Sequence, residues 1–375
     1  MSKRINTAVW LDKYQRWQIK VRKDGQRKTF TSPTPGRKGQ RECNKKADDW
    51  LDGVTIDPNI KVGKLWDKMV DELKRTTSEG HWSHYEQYGR NYVSKVIWHR
   101  KVSSLREQDL QDVINYAYKN PVGKKPLSQR MLVNIKSSLT SFVKYARRNA
   151  LTTLRPEFLR IPNDAPRPNK RTLQPEDIRK LFSSDKTVFR NKEVLEWYIH
   201  AYRFAAITGL RPGELYGLKR GSVDLKTGIC KITGAINAYG KHTHGKNDNA
   251  IRSFDLPDLA MQEVRAQLAM LKSAGIISPY LFPEPDGNIT RQVVARKRWV
   301  RYRQHNDIAD ISPYELRHTF FSTTKALPEE LVKMIGGHSK DFDTFGTYGH
   351  SLDGESARAA QLVNSAFAEI LSADD

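Results

Sequence analysis

Thr208-Gly209-Leu210-Arg211-Pro212-Gly213-Glu214-Leu215, Pro313-Tyr314-Glu315-Leu316-Arg317-His318-Thr319-Phe320 and Gly336-Gly337-His338-Ser339 set charged and polar side chains among apolar helices. Tyr348 follows ten residues after the histidine of the third stretch. Outward from the first stretch, residues 194–208 read as a long apolar helix. Residues 228–237 and 250–256 read as the two strands of a hairpin with a polar loop between them. Further helices are expected at about 292–304, 314–325, 328–336 and 353–371, and Gln174-Pro175-Glu176-Asp177 starts another. Residues 172–375 thus form a mixed, mainly helical domain with a small antiparallel sheet.

The rest of the chain divides in two. Short alternating runs at 8–11, 17–22 and 28–31, separated by turn residues that include Asp24-Gly25, predict a three-stranded sheet. Residues 37–51 predict a helix with Ala47, Trp50 and Leu51 on its apolar side, which closes a small domain over 1–52. In the second strand Trp17, Ile19 and Val21 face one way, and Gln18, Lys20 and Arg22 the other. Residues 51–60, with Gly53 and Pro58, read as a linker. Residues 61–161 read as all-helical. Leu65, Met69, Val70 and Leu73 recur at helical spacing, as do Tyr88, Tyr92, Val93 and Val96. Leu110, Val113, Ile114 and Tyr116 form a third segment. A fourth carries Leu132, Ile135, Leu139, Phe142, Val143 and Tyr145 behind an N-cap at Ser128. The proline-rich stretch 162–169 is a second linker. The fold class is multidomain α+β.

Charge narrows the function. Lys and Arg total 64 against 42 Asp and Glu, a net of +22 with a pI near 9.8. Residues 1–50 hold 14 basic and 5 acidic side chains, and residues 61–160 hold 20 and 9. A polyanion partner is expected, and the first 160 residues are its grip. Lys136, Lys144, Arg147 and Arg148 lie off the apolar stripe of their helix, and Lys28 adds to the basic N-terminal sheet. Two cysteines, Cys43 and Cys230, support neither a disulfide framework nor a zinc site, which predicts a reducing, cytoplasmic setting. The basic N-terminus has no apolar h-region, and no stretch approaches the ~20 apolar residues of a membrane span.

The three quoted stretches and Tyr348, in that order and spacing, resemble the tyrosine recombinase family of phage-integrase type. Its usual pattern is TGLR-x-x-E-L, then H-x-L-R-H-T, then L-G-H, then a nucleophilic tyrosine nine or ten residues on. The resemblance implies that Tyr348 attacks a scissile phosphate and holds the 3′ end of the DNA, with Arg211, Arg317 and His338 around the phosphate. The chemistry agrees. A tyrosyl ester stores the phosphodiester energy, and planar guanidinium groups match the charge that develops on non-bridging oxygens. The general-acid lysine of the family sits in a hairpin turn, where Lys246 fits and Lys241 is the runner-up. Glu214 is expected to orient an arginine or to neutralise it, and His318 to be a buried, hydrogen-bonded support. Where the family usually has a histidine, this chain has Tyr314. A phenol can donate a hydrogen bond to phosphate but is a poor base at neutral pH. The polar segment around Tyr348, with its flanking glycines, suits a mobile nucleophile. His242-Thr243-His244 lacks the bulky apolar centre of a replication-initiator histidine pair. No cofactor or metal is expected.

The resemblance further implies an arm-type DNA-binding domain at 1–52, a core-binding domain at 61–161 and a catalytic domain at 172–375. It implies a clamp on double-stranded DNA at core and arm sites, a homotetramer exchanging strands through a Holliday junction, and an accessory DNA-bending or excision factor. Integration or excision of a mobile element or prophage would be the outcome. A DNA-binding relative without catalysis and a nicking-closing enzyme of topoisomerase IB type are the other readings. The C-terminal helical tail, with Ala359, Val363 and Phe367 on one face, could pack on its own core or on a neighbouring protomer.

Overall fold

A computed structural model describes residues 6–23, 26–51, 57, 59–123, 125–167, 171–237, 239–243, 251–337 and 354–373. Contacts divide the chain into two compact units, Met1–Pro168 and Asn169–Asp375. Each apolar cluster lies within one unit: one beneath the N-terminal sheet, one in the helical segment that follows, and one in the second unit.

Strands β1 (Val9–Leu11), β2 (Arg16–Lys23) and β3 (Gln26–Ser32) form an antiparallel sheet in the order β1-β2-β3. Helix α1 (Gly36–Leu51) covers one face, burying Cys43, Ala47 and Leu51 against Ile19 and Val21. Directly paired residues share a face. The register Gln18↔Thr31, Lys20↔Thr29 and Arg22↔Arg27 therefore places these six residues on the open face. Lys28 pairs with Val21 and so lies on the helix side, its ammonium over the Phe30 ring. It does not share a face with Lys20 and Arg22.

Four helical segments build the rest of the first unit. Helix α2 spans Val62–Thr76, and α3 spans Glu79–Tyr88, continuing through a π turn at Gly89–Val93. Helix α4 covers Glu107–Lys119 and α5 Gln129–Arg148. Ser128 caps α5, accepting from the Met131 amide at 3.3 Å. The expected stripe of α5 (Leu132, Ile135, Leu139, Phe142 and Val143) is buried, and helix period alone accounts for it.

The second unit begins with α6 (Pro175–Ser183). The expected helix 194–208 is corrected here. β4 (Lys186–Phe189) and β5 (Lys192–Leu195) form a hairpin, and helix α7 covers only Ile199–Thr208. Arg190 and Asn191 take positive φ in the two-residue turn, as the twist of a tight hairpin demands. Helix α8 (Pro212–Gly217) follows. The expected hairpin 228–237/250–256 is present as two short ladders. β6 (Ile229–Ile232) pairs with β9 (Arg252–Asp255), and β7 (Ala235–Ile236) pairs with β8 (His242–Thr243). Helix α9 (Asp258–Ser273) had no counterpart in the sequence reading, although Ala260, Val264 and Leu271 recur on its buried side. Helices α10 (Gln292–His305), α11 (Glu315–Thr323), α12 (Glu329–Gly336) and α13 (Glu355–Ser372) complete the unit. Helix α13 packs on its own unit's core through Ala359, Val363 and Phe367. Its Ser356 and Asn364 side chains accept from the Asp255 and Leu259 amides. Among the described residues, no helix is long and apolar enough to cross a membrane.

Candidate active site

The site begins at the end of α7. Gly209 takes φ +63 as the helix C-cap, and a Cβ there would lie 2.4 Å from the Phe320 ring, so the chain turns where only glycine fits. Two residues on, Arg211 is the N-cap of α8, with Pro212 at the first helical position. Glu214 folds back to accept from the Arg211 amide at 3.1 Å and from Arg211 Nη1 at 2.8 Å. One carboxylate thus caps the helix and aims the guanidinium. Glu214 is only 3% exposed. Burial pushes its pKa up, but Arg252 and then Arg211 outweigh burial and hold it below the usual carboxylate range.

Arg317, 4% exposed, enters from α11. Its Nη1 donates to the Gly209 carbonyl at 2.6 Å and to the Gly336 carbonyl, and its Nη2 donates to Gly337 at 2.9 Å. Among the described residues three of its five N–H groups find acceptors, those of Nη1 and one of Nη2. Burial, with the Arg211 cation next, pulls the guanidinium pKa down to about 10, so it stays charged at neutral pH. Arg211 Nη2 donates to the same Gly337 oxygen at 3.1 Å. Two permanent cations therefore meet at one carbonyl, and Arg211 remains 41% exposed.

A third arginine completes the cluster. Arg252, at the start of β9, donates from Nε to the Ile335 carbonyl (3.0 Å) and from Nη2 to Glu214 Oε2 (3.1 Å). Nothing in the spacing of the quoted stretches marks it. Alternation along β9 could have found it, because Arg252 and the buried Phe254 lie two residues apart and so share a face.

The remaining expected residues fall as follows. Tyr314, 47% exposed, stands one turn before Arg317 with its ring edge-on to His318 at 5.5 Å. His318 is half-buried, not the buried support expected. Lys246, His338 and Tyr348 lie outside the described residues. Lys241 is exposed, and its amide donates to Asn237 at 2.9 Å. Tyr302, a tyrosine outside the expected set, is buried, and its hydroxyl donates to the Ser184 carbonyl at 2.7 Å. Burial pushes the Tyr302 phenol up and raises Tyr198 to about 12, so neither is poised as a nucleophile.

In the first unit, Lys20, Arg22, Lys144 and Arg147 are exposed, and Gln18 is half-buried. Lys136 is half-buried and donates to the Leu159 carbonyl at 2.5 Å, so it does not stand free as expected. Arg148 is held by both oxygens of Glu72, at 2.7 and 2.8 Å. Two exposed cations of α10, Arg296 and Lys297, were not singled out in the sequence.

A buried carboxylate orienting one of two converging guanidinium groups is an arrangement for binding a phosphate and stabilising charge that grows on its oxygens. The sequence profile of the phage integrase family matches residues 171–355, which contain all three arginines. The chain is 21% identical to a tyrosine recombinase XerC-like protein of Caldanaerobacter subterraneus subsp. tengcongensis, across 98% of this chain and 100% of the relative. It is 27% identical to tyrosine recombinase XerD of Pseudomonas aeruginosa, across 57% of this chain and 68% of that one. Among solved structures it is similar to the Tn1549 transposon integrase in complex with a circular intermediate DNA. That match has a TM-score of 0.64 and 18% identity, and covers 80% of this chain and 98% of the other. A lambda integrase tetramer bound to a Holliday junction matches with a TM-score of 0.58 and 12% identity, over 90% and 96%. Over residues 171–355, just under half its length, the chain matches the phage integrase family. It is a tyrosine-type site-specific recombinase of the integrase type.

Proposed function

We propose that this protein integrates and excises a mobile element or prophage by cutting and rejoining DNA through a 3′-phosphotyrosine intermediate. The observation that carries this reading is the shared Gly337 carbonyl, at which Arg211 and Arg317 converge. Two like charges so close repel each other, and a phosphate bound between them relieves that repulsion. The Tyr348 hydroxyl attacks the scissile phosphorus, gives up its proton to water, forms the tyrosyl–phosphate bond at the 3′ end and expels the 5′ oxygen. Lys246 gives that oxygen its proton. Arg211 and Arg317 stabilise the charge on the non-bridging oxygens, joined by His338 and the Tyr314 hydroxyl. A 5′-OH then attacks the tyrosyl ester, which restores the phosphodiester and frees Tyr348. The bond count is unchanged, and no ATP or metal is consumed.

DNA is the partner in this reading. Lys144 and Arg147 of α5, with Arg296 and Lys297 of α10, hold the core site. Lys20, Arg22 and Arg27 on the open sheet face hold the arm site. Similarity to the Tn1549 transposon integrase supports a mobile-element substrate. Similarity to the lambda integrase tetramer on a Holliday junction supports four protomers exchanging strands in pairs.

The test is a nicked suicide duplex carrying the core site taken from the junction of the element with its host sequence. Wild type is expected to give a covalent 3′ adduct without added magnesium, and Tyr348→Phe none. Arg317→Lys should lower the rate by roughly 10²–10³, the usual cost of removing one transition-state donor. Bound wild-type protein that never forms an adduct overturns the reading in favour of a DNA-binding relative. Adducts that reseal in place without ever joining two duplexes favour a nicking-closing enzyme.

A further inference from the structure

Arg252 is a buried cation that the two-arginine phosphate site does not require. Its side chain is 10% exposed, and its Nη1 is buried with no hydrogen-bond partner among the described residues. An apolar side chain would fill the space at lower desolvation cost, so stability is a poor reason for a guanidinium here. Its remaining contacts join three parts of the site. Nε holds the Ile335 carbonyl at 3.0 Å, and Nη2 holds Glu214 Oε2 at 3.1 Å and reaches the Gly336 carbonyl at 3.5 Å. The guanidinium lies so close to the next residue that a Cβ on Gly337 would come within 2.6 Å of Arg252 Cζ. Gly337 takes φ +67 as the cap of α12 and precedes His338 directly.

We propose that Arg252 is a positioning residue for strand cleavage, clamping the Ile335–Gly337 turn to Glu214 and thereby setting the aim of Arg211 and the place from which His338 departs. The inference rests on the strand-cleavage reading above. Glu214 divides its oxygens: Oε1 takes Arg211 Nη1, while Oε2 takes the Arg211 amide and Arg252 Nη2. Without Arg252, Oε2 keeps a single backbone partner, and Arg211 alone, through its amide and Nη1, holds the carboxylate. The turn also loses its side-chain hydrogen bonds to β9, while Arg317 still holds the Gly336 and Gly337 carbonyls from α11. Arg252 opens β9, six residues after Lys246 in the sequence, so the same clamp anchors the strand that follows that lysine.

The clamp has a pH signature that simple packing lacks. The charged groups facing Glu214 are Arg211 beside it, Arg252 from β9 and Arg317 from α11. On β6, which pairs with β9, the Cys230 thiol is kept neutral by burial, its pKa about 12. Loss of the Arg252 charge leaves burial less opposed, and the Glu214 carboxyl takes up a proton at a higher pH than in the wild type. Cleavage then weakens from the acid side.

Single-turnover cleavage of the suicide duplex is measured across pH for wild type, Arg252→Gln, Arg252→Lys and the double variant Glu214→Gln/Arg252→Gln, with duplex affinity and melting temperature followed in parallel. Arg252→Gln is expected to cleave about 10–100-fold slower at unchanged duplex affinity, the scale of a misaligned catalytic group. It should also lose further rate on acidification where wild type is flat. Arg252→Lys keeps the charge and should recover the flat profile at a reduced rate. The double variant should be slow and flat. A normal rate and profile for Arg252→Gln overturns the inference and leaves the strand-cleavage reading standing. So does a rate loss that tracks melting temperature with no change in pH profile. Should Arg252→Gln not fold, Arg252→Lys alone decides, because wild-type cleavage by a single point charge overturns the clamp. A wild-type protein that makes no adduct fails the earlier reading, and the inference goes with it.

Discussion

Glu214 does the work of several residues at the end of a short helix. It caps α8, aims Arg211 and neutralises part of the charge that Arg252 brings into the core. Its pKa in the folded chain lies below the ordinary 4.5, despite burial. The stabilisation it contributes is therefore complete above that value and is lost as pH falls through it toward the folded-state pKa. Glu214→Gln should cost about 3 kcal/mol at neutral pH, the scale of leaving buried cations without their counter-charge. The melting curves of wild type and variant, followed across acid pH, should converge as the carboxylate is protonated. A gap that stays constant into strong acid would show that Glu214 contributes shape and not charge. Tyr314 stands where the family usually has a histidine. The exposed phenol lies one turn from Arg317.

At the scale of elements, the site is built from ends. Arg211 begins α8, Arg252 begins β9, Arg317 lies in the first turn of α11, and the carbonyls they hold come from the ends of α7 and α12. The last four carbonyls of a helix have no internal partner, so arginine side chains satisfy them and are located by them. Helix α13 packs in the same economical way, with Phe367 fully buried in its own unit's core. Phe367→Ala should cost about 3–5 kcal/mol in chemical denaturation. The loss should be the same at protein concentrations a hundredfold apart. A loss that grows with concentration would mean that the helix of a neighbouring protomer fills this position. The end of β5 falls inside the helix expected at 194–208 because Val194, Leu195 and Trp197 extend the apolar run of α7 backwards. In the structure β5 is exposed along its length, so that run reflects no helix face.

Across the whole molecule, charge and chemistry are separated in sequence. The first 160 residues carry most of the net positive charge, while the arginine cluster sits in the unit that carries little of it. Affinity for duplex DNA should then fall steeply with salt, by about 0.9 in log–log slope for each phosphate contacted. Lys144→Ala and Arg147→Ala should each reduce that slope by about one and weaken all sequences alike. Anisotropy titrations at several salt concentrations check this, and an unchanged slope removes α5 from the interface. By itself the sequence determined the fold class, the long amphipathic helices, the capping of α5 and the pairing of Arg211 with Arg317, because helix period, cap chemistry and ordered motifs are local signals. Only the tertiary structure decided that Arg252 joins Glu214 to the Ile335–Gly337 turn, that Lys136 is tied to a carbonyl and that Lys28 lies on the helix side of its sheet. Those facts depend on register and on contacts between residues far apart in the chain. A single sequence records which side chains are present, but not which distant carbonyl each will meet.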